Sequence, residues 1–205
     1  ICPACGGEIE KKEAGGKRSD LKNSKRSDLG EPALSVAFYC VNKKCPAKNE
    51  RYLEHFVSVF EIYELGPKIL RRFKDEGLIT DAGDIFTLTK EDIAPLERFG
   101  EKSALNIIKE INEKRKIPLS RFLWALGILH VGEETARDLA IHFSSLDKLI
   151  FSDRQPARNA LASEAGGELS NFESIENIGE AVSKSLHNFF QDKNNLNFIK
   201  KLEKN

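Results

Sequence analysis

"ERFGEKSALNII", Glu97 to Ile108, sets a glycine directly in front of an amphipathic run. Ala104, Ile107, Ile108 and Ile111 follow that glycine at helical spacing. Glycine is a poor helix former, so its place at a helix entrance needs a reason. The same phrase returns in "YELGPKILRRF" (63–73), "LHVGEETARDLA" (129–140) and "ENIGEAVSKSL" (176–186). Behind these lie the stripes Ile69, Leu70, Phe73; then Ala136, Leu139, Ala140, Phe143; then Val182, Leu186, Phe189, Phe190. Each glycine follows an apolar residue, Leu65, Phe99, Val131 or Ile178, and a further apolar segment lies upstream, as at Leu96 and Ile175. The spacing predicts helix, tight turn, helix, four times over. The apolar residue plugs the turn into the core. The glycine is expected to permit a backbone conformation that a Cβ would obstruct. It also leaves the first helical turn bare, so that free N–H groups can meet an anion.

Four such units are an internal repeat. They form the helix-hairpin-helix pattern, a grip on DNA phosphates that ignores base sequence. The candidate contacts are Gly66 and Lys68 in the first unit, and Gly100, Lys102 and Ser103 in the second. The third offers Gly132 and Thr135; the fourth offers Gly179, Ser183 and Lys184. Pro67 removes one amide donor while favouring helix entry. Glu133 and Glu134 suit the helix dipole but repel phosphate. The second and fourth units are therefore expected to hold phosphate most tightly, with the third the most structural. The competing reading is a helical domain that uses these turns only for packing.

All four cysteines fall early, as Cys2-x2-Cys5 and Cys40-x4-Cys45. Two close pairs across a spacer suit a tetrahedral Zn site, each pair lending two thiolates from a tight turn. Gly6 and Gly7 fit such a turn. Two disulfides in a secreted module is the alternative, and it lacks a signal sequence to support it. The spacer carries "KRSDL" twice, at Lys17–Leu21 and Lys25–Leu29, and reads as an inserted, solvated loop. Its Lys17, Arg18, Lys25 and Arg26 are in reach of a phosphate reading, but a charged loop explains them as well.

The 205 residues suffice for one large domain or two small ones, and a 40% hydrophobic content allows a packed core. The expected division is 1–50, a four-Cys finger with its inserted loop, and 51–205, the hairpin domain. The fold class is mainly α, with short strands only around "ALSVAFYC". Gly77 reads as a helix stop, and Thr89-x-x-Asp92 and Ser170-x-x-Glu173 as capping boxes. A net charge of zero argues against a polycationic nucleic-acid binder, but amides at helix N-termini need no net charge. No apolar run is long enough to span a membrane. A soluble, intracellular protein is expected. The chain starts at Ile1 and contains no Met, which suggests an excised domain. His55, His130, His142 and His187 are scattered and read as surface or packing residues, and Trp124 as core.

The phrases "CPACGG", "CVNKKCPAK", "HFVS", "GLI", "FGEKSALNI", "PLSRFLWALGILHVGEETARDLAIHF", "SSLDKL" and "IGEAVSKSLHNFF", with Asn194 after them, resemble the bacterial NAD-dependent DNA ligases. The resemblance runs from Cys2 to the C-terminus. It implies an enzyme that seals nicks in duplex DNA during replication and repair. A Lys in an upstream domain takes AMP from NAD, with a divalent metal such as Mg, and passes it to the 5′-phosphate. The finger and hairpins clamp the nicked double strand. Zn is the cofactor implied for this portion, with NAD and Mg bound elsewhere. The implied setting is a bacterial cytoplasm, associated with the nucleoid, as a monomer with no membrane contact. The chain has no K-x-D-G motif and no catalytic residue is assigned in it. The family often has glycine at both ends of the turn. Here Glu64, Arg98 and Asn177 stand at the first of those positions, which is expected to stiffen the turns or weaken phosphate binding, and His130 stands there in the third unit, where the family also tends to have His. Leu129 replaces a usual basic residue. A stand-alone DNA-binding module, or a protein-interaction domain of the same fold, are the alternative readings.

Overall fold

The computed structural model describes residues 1–14, 35–42, 44–154, 172, 175 and 177–205. The "KRSDL" repeats and the Ser170–Glu173 box lie outside the described residues. The chain separates into two compact units, Ile1–Asn49 and Glu50–Asn205.

The first unit is a two-stranded antiparallel ribbon, β1 (Ile9–Ala14) and β2 (Ser35–Cys40), paired so that Ile9 faces Cys40. β2 contains most of the "ALSVAFYC" stretch singled out by its sequence. Ahead of β1 the chain turns sharply: Gly6 N–H donates to Cys2 O at 2.8 Å, and Cys2 N–H to Gly7 O at 2.7 Å. Gly6 holds φ +66°, a left-handed geometry that glycine takes without strain. A Cβ on Gly7 would lie 3.2 Å from Cys5 Sγ, a tight contact that glycine avoids.

The second unit is helical: α1 (Pro46–Phe60, its first four residues within the first unit), α2 (Pro67–Asp75), a 3-10 helix (Ala82–Thr87), α3 (Lys90–Ile93), α4 (Glu101–Glu113), α5 (Leu119–Ala125), α6 (Glu133–Phe143), α7 (Leu146–Arg154), α8 (Glu180–Gln191) and α9 (Lys193–Lys204). Its core is built from the predicted stripes. Leu70, Phe73, Ala104, Ile107, Ile111, Ala136, Leu139, Phe143, Leu186 and Phe190 are buried, while Ile69, Ile108, Ala140, Val182 and Phe189 pack half-buried against them. Trp124 is half-buried at the same core, where its carbonyl bonds His55 Nε2 at 2.9 Å.

Boundaries follow local chemistry. α2 stops where Gly77 turns left-handed at φ +73°, and Leu78 N–H reaches back to Phe73 O at 2.8 Å. α3 starts at the Thr89 box, where Asp92 accepts from the Thr89 N–H and hydroxyl at 2.8 and 2.7 Å. Those bonds lower the Asp92 pKa. Lys201 of α9 reaches back to Asp81 at 2.9 Å and Asp84 at 2.6 Å, beside the 3-10 helix. Asn205 donates to Gly83 O at 3.2 Å in the same place.

Candidate nucleic-acid interface and metal centre

The four turns share one hydrogen bond. The plug residue's N–H donates to the carbonyl three residues back: Leu65 to Ile62 at 3.3 Å, Phe99 to Leu96 at 3.0 Å, Val131 to Ile128 at 3.0 Å and Ile178 to Ile175 at 3.1 Å. The apolar pair at each turn thus closes it and anchors it: Ile62, Leu65, Ile128, Val131, Ile175 and Ile178 are buried, and Leu96 and Phe99 half-buried. In the last three turns the residue before the plug is left-handed, with Arg98 at φ +71°, His130 at +65° and Asn177 at +68°. This is the position at which a type II turn favours glycine. Side chains there strain the turn but do not abolish it. Glu64 keeps a negative φ, so the first turn is built differently.

The glycine that follows each plug is the N-cap of the next helix, and no side chain caps any of the four. The expectation that a Cβ would obstruct the backbone here is corrected. Gly66, Gly100, Gly132 and Gly179 have φ of −64°, −145°, −89° and −88°, which any residue adopts. A Cβ on each would meet no atom within 4 Å. The fold does not need these glycines. Their effect is to leave the space in front of an uncapped helix start clear for something outside the chain.

The candidate side chains sort by helical register. Lys68 and Lys102 both hold the second helical position and are exposed. Ser103 and Thr135 both hold the third, exposed and half-buried respectively. Ser183 is corrected as a contact residue. It stands at the fourth position of α8, the register of Ala104 and Ala136, and is 1% exposed. That position faces the core in every unit. Lys184 is exposed and pairs with Glu180. Glu133 and Glu134 share one partner, Arg137, at 3.2 and 3.1 Å, which offsets part of their repulsion for an anion.

The third unit was expected to be the most structural, but the first has its donors engaged internally. Pro67 has no N–H, and Ile69 N–H turns back to Gly66 O at 2.9 Å, in addition to the bond from the fourth helical residue to the glycine carbonyl that all four units make. Glu110 of α4 accepts from the Tyr63 and Glu64 N–H groups at 3.1 and 2.7 Å. Glu61, left-handed at φ +58°, pairs with Lys114 at 3.1 Å and with Arg121. The Arg121 and Lys114 side chains hold its carboxyl down to about 2. Sequence reading missed this anchor because its members lie far apart along the chain. It also passed over Arg98, read as a missing glycine, whose side chain is 89% exposed on the second turn and lies 3.9 Å from the Glu97 carboxylate.

In the first unit the four sulfurs of Cys2, Cys5, Cys40 and Cys45 lie within 4.8 Å of one another. Cys2 and Cys45 are 3.9 Å apart, Cys5 and Cys40 3.5 Å. Tetrahedral thiolates at about 2.3 Å from Zn stand about 3.8 Å from each other, so the cluster has the size of such a cage. All four sulfurs are close to one another, within the motifs as well as across them, as four ligands round one centre require. The Gly7 N–H and the Asn42 side chain lower the Cys5 pKa to about 6. Desolvation pushes Cys40 up to about 12. The cysteines are positioned to hold a metal ion.

The helix-hairpin-helix motif family matches residues 121–155, and the SAM-like helix-hairpin-helix tandem family matches residues 56–113. Curated relatives extend the likeness to the finger. The DNA ligase of Koribacter versatilis is 33% identical over 204 residues, 98% of this chain and 25% of that protein. The DNA ligase of Desulforudis audaxviator is 38% identical over 176 residues, 85% of this chain and 24% of its own length. That of Petrotoga mobilis is 35% identical, with 98% of this chain covered. The chain is a homologue of the DNA ligases. It spans about a quarter of the length of the DNA ligases it matches. The chain is mainly helical, with a four-cysteine cluster and helix-hairpin-helix motifs. Among the described residues, no helix is long and apolar enough to cross a membrane.

Proposed function

We propose that this chain is the DNA-gripping portion of a NAD-dependent DNA ligase, made of a finger (1–50) and a hairpin domain (51–205), that holds nicked duplex DNA by its backbone. The observation that carries this reading is the set of repeated helix starts, uncapped and fronted by glycines that the fold itself does not need. Such starts suit phosphate oxygens, since backbone N–H groups and the helix dipole both favour an anion. In the second unit, Gly100, Lys102, Ser103 and the exposed Arg98 surround one such start. In the third and fourth, Gly132 with Thr135 and Gly179 with Lys184 do so. Contacts of this kind fix orientation on the duplex and read no bases. Adenylation by NAD, aided by a divalent metal, belongs to the rest of the enzyme, which acts in replication and repair in a bacterial cytoplasm. The test is binding of the chain to nicked duplexes of unrelated sequence. Affinity should be alike for all of them, and log K should fall with log salt by about 0.9 per phosphate neutralised. Strong preference for one sequence, or salt-independent binding, would overturn the reading.

Cys2, Cys5, Cys40 and Cys45 would hold Zn, which would supply folding energy and no chemistry. Chelation of the metal should unfold residues 1–49 and leave the helical unit, with its own core, intact. Metal analysis together with circular dichroism checks this. A chelated chain that keeps its ribbon, or a metal content other than one Zn per chain, would count against it.

A further inference from the structure

The first turn is held more firmly than its own hydrogen bond requires. Glu110 receives the Tyr63 and Glu64 N–H groups, and Glu61 just upstream is tied to Lys114 and Arg121. The anchor reaches from the turn to α4 and α5. It fixes the turn upstream of the helix start at Gly66, which stays uncapped like the other three. At the tip of this braced turn stands Tyr63, whose side chain is among the most exposed large apolar groups of the chain at 76%. Packing gives no reason for a tyrosine there. The equivalent place in the second turn holds Glu97 and in the third Leu129, itself 70% exposed.

We propose that Tyr63 is a DNA-contacting residue whose ring lies against the sugar–phosphate backbone of the duplex, and that Glu110 is the positioning residue that holds the turn so that the ring is presented. The inference rests on the proposed duplex binding and assigns the first unit a different manner of contact from the other three. A phenol suits this role. Its ring covers the apolar carbons of deoxyribose, and its hydroxyl donates to a phosphate oxygen. Being uncharged, it displaces no counterion on binding. The first unit would therefore contribute affinity that salt does not remove.

The experiment measures affinity for a nicked duplex across a range of salt concentrations. It compares the full chain with Tyr63→Ala, Glu110→Ala, the double variant and Lys102→Ala, each checked for folding by thermal melt. Tyr63→Ala should weaken binding about five- to tenfold, a cost near that of one lost aromatic contact, with the salt slope unchanged. Lys102→Ala should make the slope shallower by about 0.9. Glu110→Ala should weaken binding by no more than Tyr63→Ala, and should add nothing in the double variant, because it acts through the ring. Parental affinity in a folded Tyr63→Ala chain would overturn the proposal. So would losses from Tyr63→Ala and Glu110→Ala that multiply in the double variant, since that would make Glu110 a separate structural prop. A parent chain that binds no duplex would overturn the proposed function itself, and this inference with it.

Discussion

The first and second hairpins close with the same backbone hydrogen bond and carry the same glycine, yet their turns differ in backbone conformation and in the side chains that brace them. In the first, Glu110 takes the Tyr63 and Glu64 amides, Pro67 lacks one, and the turn is braced by Glu61. In the second, Glu101, Lys102 and Ser103 start an uncapped helix behind an exposed Gly100. A repeated motif fixes the geometry of the chain but not what its polar groups bond to. That depends on neighbours the repeat does not contain.

The sharpest way to break this contrast is to fill the space in front of the two helices. Gly100→Val should lower affinity for nicked duplex by about tenfold or more, as loss of charge-assisted hydrogen bonds predicts, without loss of helicity. Gly66→Val should cost much less binding. Equal losses from the two substitutions would erase the difference between the hairpins.

A smaller effect concerns the turn itself. Arg98 is left-handed and Glu64 is not, so glycine should act with opposite sign at the two places. Arg98→Gly should stabilise the chain by about 0.5–1 kcal/mol, the relief of left-handed strain less glycine's greater entropy when unfolded. Glu64→Gly should destabilise it by a similar amount. Thermal melts of the two variants decide this, and a shared sign would contradict the turn geometry.

The smallest expected effect is that of pH on the brace. The Glu61 carboxyl is lowered from 4.5 to about 2 in the folded chain by Arg121 and Lys114. A lowered acid stabilises the fold above its unfolded value, and that contribution is lost as pH falls towards the folded value. Glu61→Gln should therefore melt below the parent near neutral pH, with the gap closing between about pH 4.5 and 2. A gap that persists at the acid end would mean that the Glu61 charge is not what holds the turn.

Apolar periodicity made most of this legible in the sequence. It repeats at every hairpin, so Leu70, Ala104, Ala136 and the helices that carry them could be placed from spacing alone. The cysteine cluster was legible for a similar reason, since paired ligands are local. Ser183 was misplaced because a hydroxyl next to a lysine looks polar in one dimension, whereas its register with Ala104 shows only when the four helices are laid side by side. The role of the glycines was misread in another way. Sequence cannot tell a residue that needs a left-handed φ from one that keeps a surface clear, and here the two properties fall on Arg98 and Gly100, on either side of Phe99. The Glu110 bond and the Glu61 brace were invisible because they join elements many residues apart.

The contact of Lys201 with Asp81 and Asp84 bears on the order in which the helical unit is made. It joins points separated by 120 residues, with three of the four hairpins in between. Each hairpin can form from near neighbours soon after it leaves the ribosome, whereas this clasp must wait for α9 to emerge. Long-range closure of that kind is slow, because chain entropy is lost before any contact is gained. A nascent chain stalled before α9 would thus carry hairpins already turned but leave Asp81 and Asp84 without their lysine, and α9 would be the helix that locks the earlier ones together.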